Sequence, residues 1–134
     1  MFRYLSVILC LVLCSCVTLI ELTQSNIQKN IIGEWEWEPR GKRSHASERI
    51  VFNSDFTGQY SSRGGSIVFW TDFEYSIEEN KISTVVDENV AGYGFKEGVI
   101  NVPQYTVVSQ TKNRIKVVSS ENENKTQIFI RKAL

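Results

Sequence analysis

The chain has 134 residues, of which 42% are apolar, 11% aromatic and 22% charged. These fractions are close to globular averages and the length suits one domain, which excludes a disordered chain and an enzyme with a separate cofactor domain. Lysine plus arginine number 15 and aspartate plus glutamate number 15, so the neutral chain has no overall field to hold nucleic acid. A single histidine, His45, cannot build a multi-histidine metal site.

Residues 1–15 have the form of a secretory signal peptide. Arg3 is the one charge in the first 20 residues, and the apolar run that follows it is shorter than the roughly 20 residues of a membrane-spanning helix. All three cysteines, Cys10, Cys14 and Cys16, lie within the first 16 residues. The rest of the chain therefore has no disulfide framework.

Leu13-Cys14-Ser15-Cys16 resembles the lipobox of bacterial lipoproteins. The resemblance implies cleavage before Cys16 and acylation of its thiol and amine, for example by palmitate, which would attach the protein to a membrane through a lipid anchor. The alternative is an ordinary cleaved leader. Val17 stands where many such proteins carry an aspartate that retains them at the inner membrane. In a Gram-negative source this indicates the outer membrane, facing the periplasm or the exterior.

Residues 16–30 are polar and mixed in composition. We expect them to form a lipidated N-terminus and a tether, with one helical turn near residues 25–29. The folded domain is expected to occupy residues 31–134.

Short alternating stretches separated by turn residues follow residue 31. In Glu34-Trp35-Glu36-Trp37-Glu38 the two tryptophans share one face and the glutamates the other, which is typical of a half-buried strand. A further short strand is indicated by Tyr93 and Phe95. The other predicted strands cover residues 48–53, 58–62, 67–77, 81–86, 105–109, 114–119 and 126–132.

The pattern predicts an all-β protein with about eight or nine antiparallel strands in an up-and-down meander. Turn residues separate the strands at hairpin spacing, as at residues 53–58 and 63–66, and no stretch after residue 33 has a helical period. Such a meander can close into a barrel or form a sandwich.

Several motifs, taken in order, resemble those of the bacterial lipocalin-like lipoproteins. Ile32-Gly33-Glu34-Trp35 resembles the Gly-x-Trp opening of that family, and residues 50–58 resemble its second hairpin. Phe56 replaces the usual glycine of that hairpin. Residues 73–82 and 126–132 are similar to the later hairpin and the terminal strand of the family.

The resemblance implies a lipocalin-like barrel of about eight strands. It also implies a structural motif of Gly33, Trp35 and Arg131, in which Trp35 lies near the closed base and packs against Arg131 on the last strand. A contact of this kind contributes about 0.5–2 kcal/mol, depending on its burial.

Inward-facing aromatic residues are the candidates for ligand binding. Trp37, Phe69, Phe73, Tyr75 and Tyr105 could line a cavity, and a barrel of eight strands has room for one small apolar ligand. The alternative is that the same residues fill the interior.

Two functions are consistent with these observations. The first is a lipid-anchored cell-envelope protein that binds a small apolar or amphipathic ligand in its barrel. The second is a protein-binding module of the envelope, such as an assembly factor or an inhibitor, with a filled barrel and its contacts on the loops. An interior cavity favours the first, and an exposed aromatic patch favours the second.

Basic residues cluster after the first strand. Arg40, Lys42, Arg43, His45 and Arg49 could bind an anionic head group at a barrel mouth, although a solvated basic loop is the simpler interpretation.

Catalytic motifs are weak in this sequence. Asp72 and Glu74 share one strand face, but nothing else supports hydrolysis by a carboxylate pair. Ser44-His45 has no acid at a recognisable position. The sequence shows neither a glycine-rich phosphate loop nor metal-ligand spacing. We therefore expect a protein that is not an enzyme and needs no cofactor or metal.

Overall fold

The structure, a computed structural model, describes residues 19–38, 46–64, 67–86, 102–121 and 125–133. The predicted signal peptide, Cys16 and the strand predicted around Tyr93 and Phe95 lie outside these ranges. Within them, no helix is both long enough and apolar enough to span a membrane. The elements are α1 (Gln24–Ile31), β1 (Gly33–Trp37), β2 (Ala46–Phe52), β3 (Thr57–Gly64), β4 (Ile67–Glu78), β5 (Lys81–Val86), β6 (Tyr105–Thr111), β7 (Arg114–Ser119) and β8 (Thr126–Arg131).

The eight strands form a closed barrel in chain order, and β8 pairs with β1 to complete it. Every neighbouring pair is antiparallel. The prediction of an all-β, up-and-down barrel of about eight strands is therefore confirmed. Closure gives each described strand a neighbour on both sides, whereas a sandwich of the same strands would retain free outer edges.

Three short hairpins mark one end of the barrel, which we call the base. They cover residues 53–56, 79–80 and 112–113, at the end where β1 begins and β8 finishes. We call the opposite end the upper end.

The predicted strands that fall within the described residues match the observed ones to within two residues at each end. The sequence predicted a turn at residues 63–66, but β3 continues to Gly64, which pairs with Ile67. Arg63 pairs with Val68 and its side chain is exposed, so this polar residue continues the strand without burying its charge.

The core follows the alternation of the strands. Its buried side chains include Trp35 and Ile50, each 0% exposed, and the paired residues on β1 and β2 bring them side by side. Toward the base, Phe52 makes edge-to-face contacts with Phe73 and Tyr75 at centroid distances of 5.7 and 5.0 Å. We call these three residues the base cluster.

Residues 20–31 differ from the predicted tether. The side chain of Thr23 accepts a hydrogen bond from the backbone N–H of Asn26 and caps α1, whose Ile27 and Ile31 are both 0% exposed. Ile27 and Ile31 are four residues apart and so lie on one face of the helix, which packs into the core. The domain therefore includes the helix, and the predicted boundary at residue 31 lies too late in the chain. The prediction missed the helix because two apolar residues in an otherwise polar segment are enough to dock it on the barrel.

Candidate functional site

The Gly-x-Trp residues lie at the base, where they join α1 to the barrel. The guanidinium carbon of Arg131 is 4.2 Å from the centre of the Trp35 ring, and the indole N–H of Trp35 donates to the carbonyl of Ile31 at 2.6 Å. Gly33 has φ +129°, and a Cβ atom there would lie 2.7 Å from Nη1 of Arg131. Glycine is thus required both by the backbone conformation and by the close approach of the arginine.

Arg131 also satisfies carbonyl groups at the end of the helix. Its guanidinium donates to the carbonyl of Ile32 at 2.8 Å, to that of Lys112 at 2.8 Å and to that of Asn30. Partial burial lowers the pKa of Arg131 below its usual range. These contacts hold the helix end, the last strand and a base hairpin together, so the motif stabilises the fold.

Four aromatic side chains meet in the upper half of the barrel, and we call them the aromatic cluster. Trp37 packs edge-to-face on Tyr60, Tyr105 and Phe129, with centroid distances of 5.8, 6.3 and 4.6 Å. Tyr105 and Phe129 are also 5.2 Å apart. The indole N–H of Trp37 donates to Oε1 of Gln127 at 2.9 Å, which fixes the orientation of its ring.

The hydroxyl of Tyr105 is a buried polar group for which the described residues supply no hydrogen-bond partner. Tyr105 is 1% exposed, and burial, followed by the nearby Tyr60 hydroxyl and the carboxylates of Glu48 and Glu121, raises its pKa well above the usual range. Leaving such a group unpaired costs about 1–3 kcal/mol, so a partner for it would be stabilising.

Tyr60 supplies a second polar tip to the aromatic cluster. Burial is the largest cause that raises its pKa, to about 12, and the charge of Glu48 raises it further. The Tyr60 hydroxyl also has hydrogen-bonding contacts with the side chains of Ser62 and Glu48. The aromatic faces of the cluster therefore lie beside a small set of polar groups.

A surface groove of about 440 Å³ lies beside Tyr105. It is at the end of the β5–β6 ladder, because these strands share only two paired positions, Lys81 with Thr106 and Ile82 with Tyr105, and β6 begins at Tyr105. The groove is lined by Lys81, Ile82, Gln104, Tyr105, Thr106, Val118, Ser119 and Ser120. Because Tyr105 belongs to both features, the groove adjoins the aromatic cluster.

The five predicted ligand-binding residues do not form one site. The structure brings Trp37 and Tyr105 together, but Phe73 and Tyr75 lie deeper, in the base cluster, where the Tyr75 hydroxyl donates to the carbonyl of Asn53 at 2.6 Å. Phe69 lies half-buried near the upper end of β4.

Sequence reasoning missed Tyr60 and Phe129. On β8, Ile128, Phe129 and Ile130 are all apolar, and on β3 Tyr60 lies among polar residues, so alternation gives only a weak signal of which side chain faces inward. Their contact with Trp37 depends on strand register, which pairs Trp37 with Phe129 and Ile50 with Tyr60.

The other candidate residues that the structure describes lie on the outer wall. Arg49 pairs with Glu34 at 2.8 Å across β1 and β2, so its charge is held away from the barrel interior. Asp72 accepts a hydrogen bond from Gln59 at 2.9 Å, and Glu74 is exposed on the same face of β4. Arg40, Lys42, Arg43, Ser44 and His45 lie outside the described residues.

Metal-binding side chains are not grouped in the part of the chain that the structure describes. Among those residues, no three histidine, cysteine, aspartate or glutamate side chains lie close enough together to hold an ion.

Comparison with known proteins yields a structural neighbour. No protein-family model matches the chain, and no curated protein matches it. A protein from Bacteroides uniformis ATCC 8492, known from an NMR structure, is similar with a TM-score of 0.53 and 15% sequence identity. The similarity covers 86% of this chain and 94% of that one. At this identity the likeness concerns the fold alone.

Proposed function

We propose that this protein is a lipid-anchored protein of the cell envelope that binds one small apolar or amphipathic molecule in the upper half of its barrel. The observation that carries the proposal is the buried hydroxyl of Tyr105, which lacks a partner among the described residues. It sits within a cluster of aromatic rings that offers apolar contact area around it. A ligand with an apolar body and one hydrogen-bonding group would satisfy both features.

The polar atoms around the aromatic cluster indicate how such a ligand is oriented. The Tyr105 hydroxyl can donate to an oxygen of the ligand, and the hydroxyl of Tyr60 lies close enough for its presence to raise the Tyr105 pKa. A molecule that is apolar throughout would leave the Tyr105 hydroxyl unpaired and bind more weakly. The adjoining surface groove of about 440 Å³ is lined in part by Tyr105, and it is where we expect this molecule to enter.

Binding of a fluorescent amphipathic probe with one hydrogen-bonding group tests the site. We expect Trp37→Ala and Tyr105→Phe to weaken binding, the second because a phenyl ring keeps the apolar contact but lacks the hydroxyl. Trp70→Ala is the matched control, since Trp70 is 44% exposed on β4. Equal probe affinity in all three variants and the parent would contradict a site in the aromatic cluster.

The lipid anchor is a separate part of the proposal. It is supported by the lipobox-like residues that end at Cys16 and by the lack of any other cysteine in residues 17–134. We expect Cys16→Ala to abolish membrane attachment and to leave an uncleaved precursor in fractionated cells. A soluble protein with a normally cleaved leader would contradict the anchor. The proposed ligand site is tested separately, by the probe-binding experiment.

An envelope protein-binding module is the second candidate, and one observation favours it. Three apolar side chains are exposed on the outer face of β4 and β5: Val68 at 50%, Trp70 at 44% and Val85 at 68%. Exposed apolar surface that includes an aromatic side chain is typical of protein contacts. Loss of a co-purifying envelope protein on Trp70→Ser, with probe binding unchanged, would support this candidate over the first.

A further inference from the structure

The chain is fastened to the base of the barrel immediately before α1. The backbone N–H of Ile20 donates to the carbonyl of Gln110 at 2.8 Å. The side-chain amide of Gln110, a residue 1% exposed, donates to the carbonyl of Glu21 at 3.1 Å. Gln110 lies at the base end of β6, one residue before the strand ends. Residue 20 therefore has a defined position at the base.

The distance from this point to the proposed anchor is short. Cys16 precedes Ile20 by four residues, and an extended chain spans at most about 3.6 Å per residue, so the two lie within about 14 Å of each other. A free tether over residues 16–30 would reach roughly 50 Å by the same measure. An acylated Cys16 would thus hold the base close to the lipid head groups and leave little freedom for the barrel to turn over.

Apolar side chains are exposed at the same end. Leu19, Leu22 and Ile32 flank the helix and are 68%, 37% and 38% exposed, and Phe56, in a base hairpin, is 42% exposed. None of these positions belongs to a β-strand, so they lie on the connections that cover the base. Apolar side chains at a protein surface gain contact with acyl chains when that surface meets a bilayer.

We infer that the base of the barrel rests on a lipid surface, with Leu22, Ile32 and Phe56 against the head-group region. The inference rests on the proposed acylation of Cys16. In this orientation the aromatic cluster lies in the half of the barrel that faces away from the membrane. A ligand therefore reaches it from the aqueous side and not directly from the leaflet beneath the protein.

A chemically lipidated protein tests this orientation. Cys16 is the only cysteine in residues 16–134, so the mature chain can be coupled through it to a maleimide lipid with one acyl chain. A single chain anchors reversibly, and the rate of transfer between phosphatidylcholine vesicles therefore reports additional contacts with the bilayer. We expect Leu22→Glu and Phe56→Glu to raise this rate by about fivefold or more.

The matched controls are Val68→Glu and Val85→Glu, which place the same charge at exposed apolar positions toward the upper end. We expect them to change the transfer rate by less than about twofold. Equal effects of all four substitutions, or larger effects of the two controls, would overturn the orientation. Circular dichroism checks folding, and Ile32→Glu replaces Phe56→Glu if that variant unfolds.

The coupling step separates this inference from the proposed function. Because the lipid is attached in vitro, the transfer rates report the orientation even if cells do not acylate Cys16. Normal processing of Cys16→Ala in cells would count against the proposed anchor and would leave the measured rates unchanged.

Discussion

Arg131 lies against the ring of Trp35 while its guanidinium donates to carbonyl groups at the end of α1. The two residues are also paired across β8 and β1, the contact that closes the barrel. One side chain therefore links strand closure to the docking of the helix. Gly33 makes this possible, because any side chain at that position would collide with the arginine.

The geometry of the guanidinium predicts that lysine cannot replace Arg131. We expect Arg131→Lys to lower the free energy of unfolding by about 2 kcal/mol, since an ammonium group cannot hold the three carbonyl partners in their fixed directions. Urea denaturation measures the change. Arg114→Lys is the control, because the pair of Arg114 with Glu38 is exposed and should contribute less than about 0.5 kcal/mol. Losses of similar size at both positions would contradict the capping role.

Gly58 leaves space for the ring of Phe73. A Cβ atom on Gly58 would lie 2.3 Å from that ring and 2.5 Å from the carbonyl oxygen of Val51, so we expect Gly58→Ala to cost about 2 kcal/mol or more. In the double variant with Phe73→Leu, the cost should be smaller than the sum of the single costs by about 1 kcal/mol. Urea unfolding of all four proteins measures this, and strictly additive costs would show that the ring is not the obstacle.

Phe56 occupies the left-handed region, with φ +66°, at the position where the resemblance implies glycine. Its ring packs on Tyr75 at 5.6 Å, which offsets part of the backbone strain. We expect Phe56→Gly to be more stable than Phe56→Ala by about 1 kcal/mol, because both lose the ring but only glycine accepts this φ without strain. At Ser54, where φ is not positive, Ser54→Gly should not be more stable than Ser54→Ala. Thermal unfolding that ranks alanine above glycine at residue 56 would contradict this account.

The raised pKa of Tyr60 predicts a loss of stability at high pH. Burial favours the neutral phenol in the folded state. The stability that this preference contributes is fully present below pH 10.0 and is lost as the pH rises through about 12. We expect the free energy of unfolding to fall more steeply over this interval in the parent than in Tyr60→Phe. Chemical denaturation at a series of pH values measures the free energy of unfolding of both proteins. Parallel pH dependences of this free energy would indicate that burial does not perturb Tyr60.

Local pattern alone indicated most of the barrel. Strict alternation around Trp35 and Trp37 and the turn residues near Asn53 and Asn80 placed the strands and hairpins, because side-chain period and turn chemistry are local properties. The base contact of Trp35 with Arg131 followed from the family resemblance. The helix was underestimated because Ile27 and Ile31 are too few to produce an amphipathic signal over so short a segment.

The site could be predicted only in part. Alternation shows that a side chain points inward, but its depth in the barrel depends on the register and tilt of every strand. Phe73 and Trp37 were therefore indistinguishable as cavity residues, although one lies in the base cluster and the other in the upper half. That the described residues give the Tyr105 hydroxyl no partner depends on contacts between strands distant in sequence, and no local pattern reveals it.

Mass spectrometry of the protein purified under native conditions from its own cells shows whether the barrel holds a ligand. We predict that one small amphipathic molecule accompanies the parent protein, can be extracted with organic solvent, and is retained less well by Tyr105→Phe. The Trp70→Ala protein should keep it. Parent protein that is consistently empty, or a molecule retained equally by all three proteins, would contradict the proposal of a ligand held in the aromatic cluster.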